Sequence, residues 1–384
     1  MNDDAIIDGD QHIHEPRTMW RDYIDPAFRD DALAIEDDEL GWSWLTWRGK
    51  QLYLAEVQHP AKAKEIGETR KRLERGEAPE VSYDELLEPA YTSAKARVDR
   101  LDEWGIDAAV VLPNFGLLWE EHLAGDVPAL CANMRAFNRW IAEQQAEGDG
   151  RLFGVAHVSL RDREWLLAEL RTLADAGVKL AMMAPAPVDG VALSDPSLDP
   201  LWEAFVEHDV APVFHVGNFR KPFDQAWYTP DPEPGDPLLN SIFLWAAPAV
   251  AIASMIVYGA FERHPRLRVG VIELTSSWVA DFLPTLEGAW GFYSLRHGGP
   301  VTELSMPPSA YFSRHVRVGA LGYEQPARLV DVVGEDVFMF GSDWPHAEGL
   351  AEPLAGYERF LPDDMRESAR KKLMGANTRW LLNA

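Results

Sequence analysis

The chain has one cysteine, Cys131, so no internal disulfide can staple it. A lone thiol suits a reducing compartment, and a cytoplasmic location is expected. Cations are also scarce. Lys and Arg number 36 against 62 Asp and Glu, a formal net charge of −26. Such a chain lacks the broad basic face that a phosphate backbone or an anionic bilayer requires, so no nucleic-acid and no membrane partner is expected. The N-terminus, MNDDAIIDGD, has neither the basic region nor the long apolar run of a signal peptide. No Gly-rich phosphate loop follows any strand-like run, which leaves an open dinucleotide-binding sheet without positive support.

Long uncharged runs are limited to one. Ser241–Phe261 holds 21 residues without a charge, long enough to span a bilayer. Pro248 and a series of alanines interrupt it, and its short flanks lack a Lys/Arg asymmetry. The segment reads instead as a helix buried on nearly all sides. An outer helix normally has one apolar stripe, so cover by an insertion or a second subunit is implied, and a homodimer is expected.

What is present is globular: 47% hydrophobic and 26% charged residues. Short apolar runs alternate with longer amphipathic ones, the pattern of a parallel sheet with crossover helices. Strand one is read at Ala5–Asp10, two at Ala108–Leu112, three at Phe153–Val158 and four at Val178–Met183. Strand five is read at Ala211–His215, six at Arg268–Glu273, seven at His315–Val318 and eight at Val337–Phe340. Helical patterns fall between them, for example Asp162–Asp175, with an acidic N-cap and Trp165, Leu166, Leu170 and Leu173 on one face. The count predicts an α/β fold: a (β/α)8 TIM barrel, one domain over 1–384, with a long insertion or lid at 17–89 after strand one. That segment is too long for an ordinary βα loop. The Pro- and aromatic-rich loop Gly217–Pro237 is a second elaboration.

Polar residues cluster where the strands end, and a barrel points these positions into one pocket. Strand one runs into Asp10-Gln11-His12-Ile13-His14-Glu15, strand five ends in His215, strand six in Glu273, and strand eight runs into Asp343-Trp344-Pro345-His346. His12 and His14 are two apart, which on a strand places both on one side. Imidazoles and carboxylates are ligands for zinc, iron and manganese. Any one of these residues could be structural. Their conjunction at four strand ends, each after an apolar strand, predicts a metal site. Seven candidate ligands result: His12, His14, Glu15, His215, Glu273, Asp343 and His346. They suffice for one or two divalent ions, Zn2+ or Fe2+. Arg220 and Lys221 are candidates for binding an anionic substrate group, and Trp344 for lining an apolar pocket.

Several motifs resemble the metal-dependent amidohydrolase superfamily, in the branch that includes aminocarboxymuconate semialdehyde decarboxylase and the resorcylate-type decarboxylases. They are Asp10-x-His12-x-His14-Glu15-Pro16, Phe214-His215, the run Phe261–Val269, and Gly341-Ser342-Asp343-Trp344-Pro345-His346. The resemblance implies that His12, His14, His215 and Asp343 bind metal and that Asp343 handles protons. Two departures stand out. The branch's decarboxylases usually carry a His after strand six, where this chain has Glu273. Dinuclear relatives often use a carboxylated lysine from strand four, but Lys179 sits at that strand's start.

Two enzyme readings follow. In the first, a metal-dependent hydrolase or decarboxylase uses Asp343, Glu273 and His346 as catalytic groups on an amide, ester, lactone or small organic acid. In the second, the carboxylate-rich set holds two irons of a nonheme monooxygenase acting on a bulky apolar natural-product acid or its thioester. The latter is similar to the superfamily's diiron hydroxylase offshoot from platensimycin-type diterpenoid biosynthesis. In both, the partner is a small-molecule substrate.

Overall fold

The computed structural model describes residues 4–219, 222–227 and 235–384. Among the described residues, eleven strands form two sheets. In chain order they are β1 (Ile7–Ile13), β2 (Ala34–Asp37), β3 (Ser43–Trp47), β4 (Lys50–Leu54), β5 (Ala108–Pro113), β6 (Leu152–His157), β7 (Leu180–Met183), β8 (Ala211–Phe214), β9 (Val269–Val271), β10 (Val316–Leu321) and β11 (Phe338–Gly341). The larger sheet has eight parallel strands in the order β1-β5-β6-β7-β8-β9-β10-β11. It curls so that its two edges meet. The N–H of His12 donates to Trp344 O at 2.7 Å, and that of Asp343 to Asp10 O at 2.8 Å. The fold is therefore a (β/α)8 barrel.

The side chains along each strand explain why it closes. Val110 and Leu112 of β5 point into the barrel with Val155, Leu180, Met182, Val213 and Met339. Ala109 and Val111, one residue out of phase, face the surrounding helices. Strands buried on both faces need such unbroken apolar runs, and parallel strands in a barrel have them. The outer helices are delimited by local chemistry. In Val127–Glu147, the Asp126 carboxylate accepts from Ala129 N at 3.2 Å, Pro128 occupies the first turn and Gly148 follows the end.

β2, β3 and β4 form a separate antiparallel sheet within the segment 17–89. Trp47 pairs with Lys50, leaving Arg48 and Gly49 as a two-residue hairpin loop, at φ 50° and 73°. Positive φ at both positions suits the turn whose twist matches the strands. A helix, Ala63–Glu74, follows. Arg17 binds Asp84 at 2.7 Å and Asp37 at 2.9 Å, joining the segment's beginning to its end. Gln58 Oε1 accepts from Ala347 N at 3.1 Å, which ties the segment to the loop after β11.

The apolar run Ser241–Phe261 differs from its sequence reading. It is divided among helices Gly235–Ile242, Ala246–Val257 and Ala260–Arg263, separated by a turn at 243–245 and by Gly259 at φ 74°. One side is in the core, but Val250 is 56% and Tyr258 66% exposed. Among the described residues, no helix is long and apolar enough to cross a membrane.

Candidate metal centre

β1 reaches Ile13, three residues beyond its expected end, so His12 is a strand residue. β9 ends at Val271, which places Glu273 past the strand. Glu273 and Asp343 both adopt left-handed backbone, at φ 55° and 56°. Such conformations cost free energy in a residue with a Cβ and concentrate at functional sites. Here they turn two carboxylates back over the barrel axis.

Six side chains converge. His12 Nε2 lies 3.4 Å from Asp10 Oδ1, 3.1 Å from Glu273 Oε2 and 3.4 Å from Asp343 Oδ1. His215 Nε2 is 3.1 Å from the same Glu273 oxygen. His346 Nδ1 is 2.9 Å from Asp343 Oδ1 and 3.9 Å from Glu273 Oε2. These atoms form two overlapping groups, Asp10-His12-His215-Glu273 and His12-Glu273-Asp343-His346, with all donors in each within 4.8 Å of one another.

Each imidazole is anchored through its other nitrogen. His12 Nδ1 meets Pro113 O at 3.0 Å, His215 Nδ1 meets Val216 O at 3.1 Å, and His346 Nε2 meets Asn114 Oδ1 at 3.3 Å. The Pro113 and Val216 carbonyls can only accept, so His12 and His215 carry a proton on that side and turn Nε2 to the centre, while His346 lies between Asn114 Oδ1 and Asp343 Oδ1, the latter at 2.9 Å. Three imidazoles and three carboxylates therefore face one another. Among the described residues, Asp10 Oδ1 and Oδ2, His12 Nε2, His215 Nε2, Glu273 Oε2 and Asp343 Oδ2 have no hydrogen-bond partner. Acceptors converging in a buried space are satisfied by a cation, and the donor set fits a divalent metal.

Burial disfavours a charge on His12, but the Asp10 and Glu273 carboxylates outweigh it and hold the imidazole well above its ordinary value, a proton that a bound cation would replace. Burial, then the charges of Glu273 and Asp10, hold the Asp343 carboxyl well above its usual range. Burial likewise raises Asp10. Burial also opposes ionisation of Glu273, but the close His12 and His215 imidazoles outweigh that and hold it well below the ordinary value. Burial and the neighbouring His12 keep His346 in its neutral, ligand-competent form.

The site brings together five of the seven sequence candidates: His12, His215, Glu273, Asp343 and His346. His14 and Glu15 are buried but lie outside both groups. β1 ends at Ile13, so the alternation that would align His14 with His12 stops before it. The His14 ring stacks on Tyr91 at 5.2 Å instead. The Glu15 carboxylate turns to the Phe115 N–H at 3.3 Å, and burial pushes its pKa up to about 8. Trp344 is not a pocket wall. It is 3% exposed and packs between Tyr91 and Trp104, each 5.0 Å away, with Arg97 over its ring. Arg220 and Lys221 lie outside the described residues. Lys179 pairs with Asp209 at 2.7 Å, away from the centre. Asp10 was not among the sequence candidates, although it shares strand and parity with His12. Asn114 also went unselected, and its position directly after β5 was the available signal.

A cavity of ≈590 Å3 opens above the centre, where His215, Glu273, His346 and Asn114 meet Trp44 and Tyr53 of the insertion. Tyr53 is held there by Asn218 Nδ2, which donates to its hydroxyl at 3.2 Å, and by His122 Nε2 at 3.1 Å.

Comparison with known proteins agrees with this geometry. An amidohydrolase from Mycobacterium avium subsp. paratuberculosis K-10 is 29% identical, with all of both chains covered and a TM-score of 0.76. The 5-carboxyvanillate decarboxylase of Sphingomonas paucimobilis is 17% identical over 99% of each chain, TM-score 0.65. A dihydroxybenzoic acid decarboxylase from Polaromonas sp. JS666, solved with bound manganese, is 18% identical over 100% of this chain and 97% of its own, TM-score 0.58. Among curated proteins none matches. The family model described as amidohydrolase matches residues 44–383, and the chain accordingly belongs to the amidohydrolase family and is a metal-dependent enzyme.

Proposed function

We propose that the chain hydrolyses an amide, ester or lactone, or decarboxylates a small organic acid, at a divalent metal centre held by Asp10, His12, His215, Glu273, Asp343 and His346. The observation that carries this reading is the convergence of three anchored imidazoles on three buried carboxylates. A bound divalent ion polarises a substrate oxygen and lowers the pKa of water to about 7. The protein's part is positioning and proton transfer. Asp343 Oδ2 has no partner and faces the centre, so it is the group placed to exchange a proton. In hydrolysis, the water oxygen bonds to the substrate carbonyl carbon and Asp343 takes the water's proton. That proton passes to the leaving nitrogen or oxygen as its bond to carbon breaks. In decarboxylation, the bond to the carboxyl carbon breaks, carbon dioxide leaves, and protonated Asp343 delivers its proton to the remaining carbon. His346, oriented by Asn114, lies 2.9 Å from Asp343 Oδ1, close enough to relay its proton.

A second reading has specific support. The two donor groups overlap at His12 and Glu273; His12 has one free nitrogen and would serve one ion, whereas the Glu273 carboxylate has lone pairs for two, so with Asp343 and His346 the set would suffice for a second ion. Three carboxylates balance more charge than one divalent ion carries. A dinuclear nonheme iron monooxygenase would use such a set, since anionic oxygen ligands favour the higher iron oxidation states.

One experiment separates the readings. Protein purified without oxygen is loaded with zinc, manganese or iron and the metal per chain is counted. Release of carbon dioxide from aryl carboxylates, hydrolysis of esters and lactones, and oxygen uptake are then measured. Hydrolysis or decarboxylation without oxygen uptake supports the first reading. Two irons per chain with oxygen consumption replaces it with the second. No metal retained in any form refutes both.

A further inference from the structure

We infer that Asp8 is a positioning residue for the metal centre. Its buried carboxylate holds a bulge in β1 that aims Asp10 and His12 into the barrel together, and it locks that bulge to the turn that carries Asp343. This rests on the metal-centre reading above and extends it to a residue outside the ligand set.

β1 is irregular where the ligands begin. Between the pairs Asp8–Ala109 and Gln11–Val111, β1 advances three residues while β5 advances two. The extra residue makes a β-bulge, a device that re-aims side chains next to active sites. Paired residues on neighbouring strands share a face of the sheet. Ala109 and Val111 face the surrounding helices, so Asp8 and Gln11 face that way too, whereas His12 pairs with Leu112 and faces the interior. On a regular strand, Asp8 and Asp10 would share a face. The bulge parts them. Asp10 joins His12 in a donor group, and Asp8 lies behind it.

A carboxylate buried behind a strand requires donors. Asp8 is 0% exposed, and its oxygens accept three bonds. Oδ1 takes the Asp10 N–H at 3.2 Å, at the bulge itself, and the Ser342 N–H at 3.0 Å. Oδ2 takes Gln11 Nε2 at 2.8 Å. Each donor is a ligand or the neighbour of one: Asp10, Gln11 between Asp10 and His12, and Ser342 before Asp343. Behind Gln11 stands Arg97, whose Nη1 donates to Gln11 Oε1 at 3.0 Å and whose Nη2 donates to His12 O at 2.6 Å. The network therefore fixes the backbones of Asp10, His12 and Ser342 relative to one another across the seam where β1 meets β11. Asp8 acts on the centre through those backbones.

Cobalt tests this, because its visible absorption bands depend on the number and geometry of its ligands. Asp8→Asn keeps the shape of the side chain but puts an N–H donor where an acceptor stood, so at least one of the three bonds must break. Zinc affinity should fall at least about tenfold, the loss typical when a partner that orients metal ligands is removed. The bands of the cobalt-loaded chain should change in position or intensity. Gln11→Met, which cuts the link between Asp8 and Arg97 and spares the bonds to Oδ1, should change both readouts by less. Leu170→Ala, in the core beneath the outer helix Arg163–Asp175, should lower Tm and leave zinc affinity and the cobalt bands as in the parent. Parent-like zinc affinity and cobalt bands in Asp8→Asn overturn the inference and leave the metal reading standing. Equal changes in Leu170→Ala do the same, since they would trace the effect to stability alone. Should Asp8→Asn not fold, parent-like behaviour of Gln11→Met overturns the inference. A parent chain that binds neither zinc nor cobalt overturns the metal reading and this inference with it.

Discussion

Replacing Glu273 by Gln separates what the site does for metal from what it does for the fold. The carboxylate belongs to both donor groups, and its Oε2 lies 3.1 Å from both His12 and His215. Two unit charges 4 Å apart interact by about 4 kcal/mol at an effective dielectric constant of about 20. A divalent ion doubles the attraction, while Gln keeps a neutral oxygen ligand and offsets part of the loss. A net weakening of about 4 kcal/mol, about three decades in Kd, is the expected result. Competition against a chromogenic chelator measures it. Since Glu273 is shared, every bound ion should weaken together, whereas Asp10→Asn should affect only one of the two groups. The metal-free protein gives a second readout. His12 and His215 hold Glu273 well below its ordinary value, so the fold favours its charge and Glu273→Gln should lower the apoprotein's Tm. Unchanged metal affinity would refute the assignment of Glu273 as the shared ligand.

Four further predictions concern the surrounding structure. A Cβ at Gly349 would sit 2.3 Å from Asp343 O and 2.8 Å from Ser342 O, both backbone atoms. Gly349→Ala must therefore shift the Asp343 turn by about 1 Å, which typically costs about 100-fold in function; metal binding equal to the parent's would contradict this. Arg97 donates to Ala90 O, Gln11 Oε1 and His12 O at 2.8, 3.0 and 2.6 Å, so Arg97→Met should lose about 3 kcal/mol of stability in urea unfolding. Burial, aided by Arg314, holds the His315 pKa down to about 4, below the ordinary imidazole value of about 6.5. The unfolded chain then binds a proton that the fold refuses, so this contribution is complete above the unfolded value and is lost as pH falls toward about 4. By about pH 5 the loss is about 2 kcal/mol, and His315→Gln should flatten that part of the stability profile. Finally, the exposed apolar residues Ile242, Val250 and Tyr258 support the expected homodimer. Light scattering should report a dimer that Val250→Glu converts to a monomer, and a monomeric parent would end that proposal.

The barrel was legible because its signal is local. Each strand is a short apolar run, and the polar residue that follows marks the catalytic rim. The five converging candidates could be read for the same reason. What escaped depended on backbone path. Whether His14 follows His12 into the centre is decided by where β1 stops, and the residue types on either side of Ile13 do not encode that stop. Trp344 adjoins a ligand in sequence yet points away from the cavity, toward Tyr91 and Trp104. The apolar run Ser241–Phe261 misled because composition records burial on average, whereas the turn at 243–245 and Gly259 redirect its faces. Asp10 was visible as a residue but not as a ligand, because its role requires β1 and β11 to meet.

The single bond from Ala347 N to Gln58 Oε1 has a consequence for how such barrels diversify. It fastens the segment that shapes the mouth to the same loop that follows Asp343. Exchanging that segment for another relative's would release the Ala347 amide and loosen the loop that begins at Asp343. The segment 17–89 is thus not a freely interchangeable module. New specificities are more accessible through side chains on its inner face than through its replacement, and a graft that omits Gln58 should reveal itself first as weakened metal retention.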